Sequence, residues 1–209
     1  MLKTLIPAPT QDLTALETVK AELQLTDSTD DGLLGDLIRQ SSSMIASHCR
    51  RVFGRETVRQ TFSFAFGSCG NLLLLDRTPV AEIISVYEDD NLLLDSDYTV
   101  DEQTGRLIRM YGGYQVDWWP RRVTVDYVGG YQLLGELPYD IERCAVDLVK
   151  RFYYARTRDP SLRSEAILDV INQSFYQSAG AGGAVAAPGM PADGLPGDIA
   201  GRLLMYRNI

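Results

Sequence analysis

Histidine is nearly missing from this chain: of 209 residues only His48 is one. Cysteine is scarce too, with Cys49, Cys69 and Cys144 forming an odd set without a C-x-x-C spacing. That argues against a disulfide framework or a zinc ribbon and suits a reducing compartment. One histidine and scattered thiols give no metal site of nitrogen and sulfur ligands by spacing. His48 and Cys49 are neighbours on a helix and point about 100° apart, so they do not converge as a nucleophile and its base. They read as a histidine at a bundle edge and a small buried thiol. No G-x-x-x-x-G-K-[ST] loop and no G-x-S-x-G elbow occurs. No apolar run approaches the roughly 20 residues of a membrane span. The opening residues are interrupted at Pro7, too early for a signal peptide, so a soluble cytosolic protein is expected.

Positive charge is also in deficit: 20 Lys and Arg stand against 28 Asp and Glu, a net charge of -8. Binding duplex phosphates needs a basic surface, so generic DNA binding is disfavoured. A local patch, or passage of nucleic acid past an acidic wall, remains open. With 45% hydrophobic and 23% charged residues, the composition is that of a globular domain. A chain of this size buries roughly 70% of its unfolded surface and needs no staple.

The patterning predicts an α+β fold: a small helical bundle with an antiparallel β block inserted between the second and third helices, then a flexible C-terminal tail. Thr14 with Glu17 spells a capping box, and Leu16, Val19 and Leu23 share a face, predicting a helix over 14–24. The stretch Asp27-Ser28-Thr29-Asp30-Asp31 supplies the next cap, and Leu34, Leu37, Ile38, Ile45 and Cys49 carry a second helix over 31–51. Ser41, Ser42 and Ser43 interrupt its stripe with small residues that let another helix approach.

Residues 57–128 read as the β block. Phe62, Phe64 and Phe66 alternate with small residues, and Val123, Val125 and Tyr127 alternate with Thr124 and Asp126. Short strands at 72–75, 80–87, 98–100 and 106–110 lie between. Gly-Gly-Tyr-Gln occurs twice, at Gly112 and Gly129, and fits turns bounding strands. A third helix over 138–157 carries Ile141, Cys144, Ala145, Leu148, Val149 and Phe152. A fourth is predicted over 161–176 on Ala166, Ile167, Val170, Ile171 and Phe175. The domain is therefore placed at 1–176. In residues 178–197, 15 of 20 are Ala, Gly or Pro, a flexible linker. It leads to an apolar-basic peptide containing Ile199, Arg202, Leu203, Leu204, Met205, Tyr206 and Arg207, read either as a tethered docking peptide or as a frayed tail.

Three further features invite a role. Glu88, Asp89, Asp90, Asp95, Asp97, Asp101 and Glu102 crowd one loop. They read as a hard-cation site, as a solvated hairpin edge, or as a surface repelling a polyanion. Basic residues cluster at Arg50, Arg51, Arg55 and Arg59 and at Lys150, Arg151, Arg156, Arg158 and Arg163, and opposite charge kept apart suits self-assembly. Trp118 and Trp119 are either lids on the local core or interface anchors. Arg50, Arg51, Trp118, Trp119, Arg156 and Arg158 are the candidate subunit interface.

Together these stretches resemble the phage head–tail connector, or adaptor, proteins of long-tailed phages and gene-transfer particles. Leu16, Lys20 and Leu23 are similar to that family's L-x-x-x-K-x-x-L opening helix. Asp30, Asp31, Leu33 and Leu34 followed by Leu37 and Ile38 resemble its second helix. Leu75, Arg77, Pro79, Val80, Ile83, Ser85 and Val86 match an L-x-R-x-P-V-x-x-I-x-S-V strand pair. Tyr98, Val100 and Asp101 with Gly105 and Leu107 match Y-x-V-D and G-x-[IL]. Pro120, Val123, Val125, Tyr127, Gly130 and Tyr131 follow in order, then Pro138, Ile141 and the aromatic pair Phe152 and Tyr153. The likeness spans residues 13–158 and leaves the rest uncovered.

The resemblance implies a structural virion protein of the neck, made in the bacterial cytoplasm, with no catalytic residues, cofactor or membrane. It implies a ring, expected to be a dodecamer, under the portal protein. That ring extends the channel for double-stranded DNA without sequence-specific binding and carries the next neck protein, a stopper or tail terminator. On this reading Ile199 to Arg207 dock on the portal or a neighbouring subunit, and Glu88, Asp89, Asp90, Asp95 and Asp97 face the channel. The alternatives are another neck part, such as a stopper or tail-completion protein, a metal-dependent hydrolase using the acidic loop, and a binding module outside any virus.

Overall fold

The computed structural model describes residues 1–64, 70, 72–119, 121–156, 164–167, 171–174 and 195–207, with backbone alone at 164–167 and 171–174. The chain forms two compact units. One joins Met1–Gln11 to Val52–Glu136, the other Asp12–Arg51 to Leu137–Ile209. The class is α+β, with every ladder between strands antiparallel. Among the described residues no helix is long and apolar enough to cross a membrane.

The first unit is the β block. Its strands are β1 (Leu2–Ile6), β2 (Glu56–Ser63), β3 (Leu72–Leu74), β4 (Val80–Glu88), β5 (Asn91–Leu92), β6 (Tyr98–Asp101), β7 (Arg106–Tyr111), β8 (Tyr114–Val116) and β9 (Arg122–Gly129). A five-stranded sheet runs β1-β2-β9-β4-β5. A second sheet runs β3-β7-β6, with β8 folding back on the far half of β7. β9 is central because its alternation buries Val123, Val125 and Tyr127 while it pairs on both sides, with β2 and β4. They join Val58, Val86, Leu73, Leu75, Leu107 and Trp118 in one core. Each such side chain contributes about 1.5–3 kcal/mol when fully buried. β2 stops at Ser63, short of the predicted Phe alternation; Phe62 and Phe64 still pack on the core, and Phe66 lies outside the described residues.

A polar latch crosses this core. The Tyr127 hydroxyl donates to Gln60 Oε1 (2.8 Å) and accepts from the Arg77 amide (3.0 Å). Gln60 Nε2 donates to the Leu74 carbonyl (3.1 Å), and the Asp76 amide donates back to Gln60 Oε1 (3.0 Å). Residues 74–77, between β3 and β4, are thereby tied to β2 and β9. Gly129 completes the fit: a Cβ there would lie 2.3 Å from the Arg77 carbonyl oxygen, so only glycine is accommodated.

The second unit holds α1 (Leu16–Leu23), α2 (Asp31–Cys49), α3 (Tyr139–Ala155), a hairpin of β10 (Ser164–Ile167) and β11 (Ile171–Ser174), and α4 (Gly197–Leu203). Val19, Leu23, Leu34, Ile38, Val146 and Val149 pack together from the first three helices. Glu22 of α1 accepts from Arg143 (2.5 Å) and Lys150 (2.9 Å), fixing α1 against α3.

Three expectations are corrected here. The Thr14–Glu17 capping box does not form: α1 begins at Leu16 with Ala15 as its cap residue and no side-chain cap. Thr14 is instead buried, so its position serves packing rather than capping. Asp30 precedes α2 without capping it, because its carboxylate is drawn to Tyr153 Oη (2.6 Å) and Arg156 (3.0 Å). Residues 164–167 and 171–174, within the predicted fourth helix, are paired strands instead. Ile167 and Ile171, partners in that ladder, are β-branched and lose rotamer freedom in a helix but not in a strand.

Candidate interaction surfaces

The acidic loop is built as a set of local braces. Arg109 of β7 donates to both carboxylate oxygens of Glu88 (2.7 and 3.3 Å) and to the Asp97 carbonyl (2.7 Å). Asp97 accepts the Leu94 amide (3.2 Å), closing the short 3-10 turn at Asp95–Asp97, and Asp95 accepts from Tyr98 Oη (3.0 Å). Asp89 sits at a left-handed turn (φ 52°) and accepts the Arg122 amide (3.0 Å), while Asp90 pairs with Arg122 (2.7 Å). These carboxylates serve as caps and ion-pair partners spread along a hairpin. Among the described residues no three or more His, Cys, Asp or Glu side chains gather as a metal cluster.

The tail peptide lies against its own unit. Leu195, Ile199 and Leu203 are buried, α4 packs on α2 and α3, and the Leu203 carbonyl is 4.0 Å from Cys49 Sγ. Arg202 pairs with Asp147 (2.8 Å) and Asp198 with Arg151 (2.5 Å). What the turn after α4 leaves to solvent is Leu204, Met205 (78% exposed) and Arg207, with Tyr206 half-buried. Beneath α4, burial pushes the Cys49 thiol up to about 11 and also raises Cys144. Both thiols are free and protonated at neutral pH. His48 is buried beside Cys49, and Cys69 lies outside the described residues.

The candidate interface residues part company. Trp118 is fully buried and caps the β core, whereas Trp119 is 78% exposed. Arg50 closes α2 in a left-handed conformation (φ 52°) and is exposed, and Arg51 is half-buried. Arg156 is engaged within its unit, paired with Asp30 and stacked on the Tyr153 ring at 4.2 Å. Arg158 lies outside the described residues. Of the other predicted basic residues, Arg55 pairs with Glu136 (2.6 Å) and Arg59 grips Asp126 with two bonds of 2.7 Å.

One surface was not singled out by the sequence. The β7–β8 hairpin turns on Gly112 and Gly113, both at positive φ (57° and 84°), a pair of angles that suits a two-residue hairpin turn. Tyr111 and Tyr114 flank that turn in register and are both exposed, at 73% and 79%. Tyr111 shares a cleft of about 340 Å³ with Trp119, Val116, Asp117, Glu88 and Arg109. The glycine pair was the legible signal; the tyrosines beside it carry the surface chemistry.

Neither a protein-family model nor a curated protein matches the sequence. Solved structures do share the fold. It is similar to that of a chain in the neck of an empty gene transfer agent particle computed with C6 symmetry (15% identity, TM-score 0.57, covering 100% of this chain and 96% of that one). A chain in the neck of the native particle computed with C12 symmetry matches over the same shares at 16% identity and TM-score 0.57. So does a chain of the virion of the native particle, again at 16% and 0.57.

Proposed function

We propose that this protein is a structural subunit of a virion neck, and more narrowly a head–tail connector (adaptor). In this reading it forms a ring, expected to be a dodecamer, below a portal protein. The ring extends the channel for double-stranded DNA and offers a platform to the next neck protein. The observation that carries the reading is the fold match over the whole chain to chains of symmetric neck assemblies. The motif order across residues 13–158 supports it independently. No catalytic role is proposed.

Two finer points belong to the same reading. The exposed Asp89 and Asp90 turn is the part of the acidic loop offered to the channel, where like charge keeps DNA sliding. Leu204, Met205, Tyr206 and Arg207 are the part of the tail offered to the portal or a neighbouring subunit, since Ile199 and Leu203 are spent on α2 and α3. Co-expression with the portal protein of the same genome, followed by sedimentation and electron microscopy, tests the proposal. A ring co-sedimenting with the portal is expected, and Leu204→Asp with Met205→Asp releases it while the chain stays folded. A chain that leaves the portal's sedimentation and images unchanged overturns the reading.

A further inference from the structure

We infer that the aromatic face of the β7–β8 hairpin, with Tyr111, Tyr114, Trp119 and Asp117, is a docking surface for an arginine-bearing segment of another protein. Tyr111 and Tyr114 are register partners across the turn, so they share a face with Arg109 and Val116, two residues further down each strand. Trp119 closes the same cleft. Three large aromatic rings are thus presented to solvent within one hairpin and the segment after it. Arg109 sets the base: its bonds to Glu88, to the Asp97 carbonyl and to the Met110 carbonyl (2.7 Å) hold the strand carrying Tyr111. The face is rigidly supported, which lowers the ordering cost of binding.

Charge selects the occupant. The cleft's one cation, Arg109, is only 15% exposed and already committed to Glu88. Asp117 is exposed and makes no hydrogen bond or ion pair among the described residues. An aromatic wall beside a free carboxylate suits a guanidinium, which stacks on rings and bonds to carboxylate at once. A second copy of this chain offers few arginines, with Arg50, Arg106 and Arg207 the exposed ones outside ion pairs among the described residues. Most of its described cations are paired within their own units: Arg55 with Glu136, Arg59 with Asp126, Arg122 with Asp90, Arg143 with Glu22, Arg151 with Asp198 and Arg156 with Asp30. Duplex DNA offers phosphate to a carboxylate and keeps its bases stacked away from the rings. The surface is read from its own residues and goes beyond the neck reading; ring formation and portal binding, followed by sedimentation, fail or succeed separately.

The test uses the two indole N–H signals of the full-length protein in NMR, assigned with Trp119→Phe. A tetra-arginine peptide is titrated at fixed ionic strength, beside tetra-lysine, tetra-glutamate and a short DNA duplex. The Trp119 signal is expected to move saturably with tetra-arginine, less with tetra-lysine, and not with the anions. The Trp118 signal stays in place and reports an intact core. Asp117→Asn and Tyr111→Ala are each expected to weaken the response about fivefold. The inference is overturned if the Trp119 signal stays still at millimolar peptide, if salt alone reproduces the shift, if neither variant weakens it, or if the duplex moves it more than tetra-arginine does.

Discussion

Tyr127 and Gln60 meet across the interior of the β block, hydroxyl to amide oxygen at 2.8 Å, with neither group open to water. Their bond is the centre of the latch that ties the loop after β3 to β2 and β9. Removing the hydroxyl strands the Arg77 amide and one valence of Gln60. Tyr127→Phe is therefore expected to lower unfolding free energy by about 1–3 kcal/mol. Urea denaturation checks this, read as a lower midpoint at unchanged slope.

The same tyrosine makes the protein alkali-sensitive. Burial pushes the Tyr127 hydroxyl up to about 12, and burial with the Asp95 hydrogen bond does the same for Tyr98. Both phenols are neutral in folded and unfolded chains below about pH 10. Above that the unfolded chain ionises first, so stability falls as pH rises toward 12. Melting temperature measured from pH 8 to 11.5 should decline from about pH 10, and the decline should be shallower in Tyr127→Phe.

At the acid end the helical unit loses a small part of its stability. Hydrogen bonds from Lys150 and Arg143 hold Glu22 below the usual carboxylate range, and those from Arg156 and Tyr153 do so for Asp30. A depressed carboxylate stabilises above its unfolded value and loses that contribution as pH falls through its folded one. Circular dichroism melts between pH 6 and 2.5 should show stability falling below about pH 4.5. The exposure of both pairs keeps the effect small, and Glu22→Gln should reduce it further.

Gly129→Ala tests the backbone contact with Arg77. A methyl group 2.3 Å from a carbonyl oxygen forces the loop after β3 to move, and the latch with it. The expected cost is about 3 kcal/mol, at the upper end for overpacking. Denaturant unfolding measures it. Gly112→Ala is the contrast: nothing lies within 4 Å of its Cβ position, so its cost is confined to the strain of positive φ, about 1 kcal/mol.

The seat of α4 can be followed through thiol chemistry. With Leu203 in place, Cys49 and Cys144 are buried and should resist iodoacetamide at pH 8. Leu203→Ala removes a fully buried anchor worth about 2–5 kcal/mol. In a Cys69→Ser background, mass spectrometry should then find Cys49 alkylated at least several times faster. Unchanged labelling would mean the helix does not shield the thiols.

What could be read from the residues follows how local their cause is. α2 and α3 carry apolar stripes at helical period, and the alternation of Val123, Val125 and Tyr127 made β9 legible as a strand, though not its central place. β1 was not, because Leu2–Ile6 becomes a strand only by pairing with β2, far along the chain. The 161–176 stretch has a helical spacing of apolar residues, and its described parts form a hairpin all the same. The site residues divided for a similar reason. Trp118 and Trp119 are identical in kind and adjacent, and only the core decides which one is buried. The tail's apolar residues read as wanting a partner, and Ile199 and Leu203 find their cover within their own unit. The many arginines look like a free basic surface until their acidic partners, most of them distant in sequence, are placed beside them.

The order in which the chain visits its two units bears on how it can be made. β1 precedes α1 and α2 along the chain and pairs with β2 only after both have been laid down. β2 and β4 both lean on β9, which emerges after every other strand of that block. α1 and α2 likewise wait for α3 beyond it. During translation neither unit can close on its own contiguous stretch: apolar edges of the β block stay uncovered until β9 emerges, and those of the helical unit until α3 and then α4 follow later in the chain. The β block can therefore close before the helical unit, whose α4 comes last, and an arrest before residue 122 leaves no finished unit.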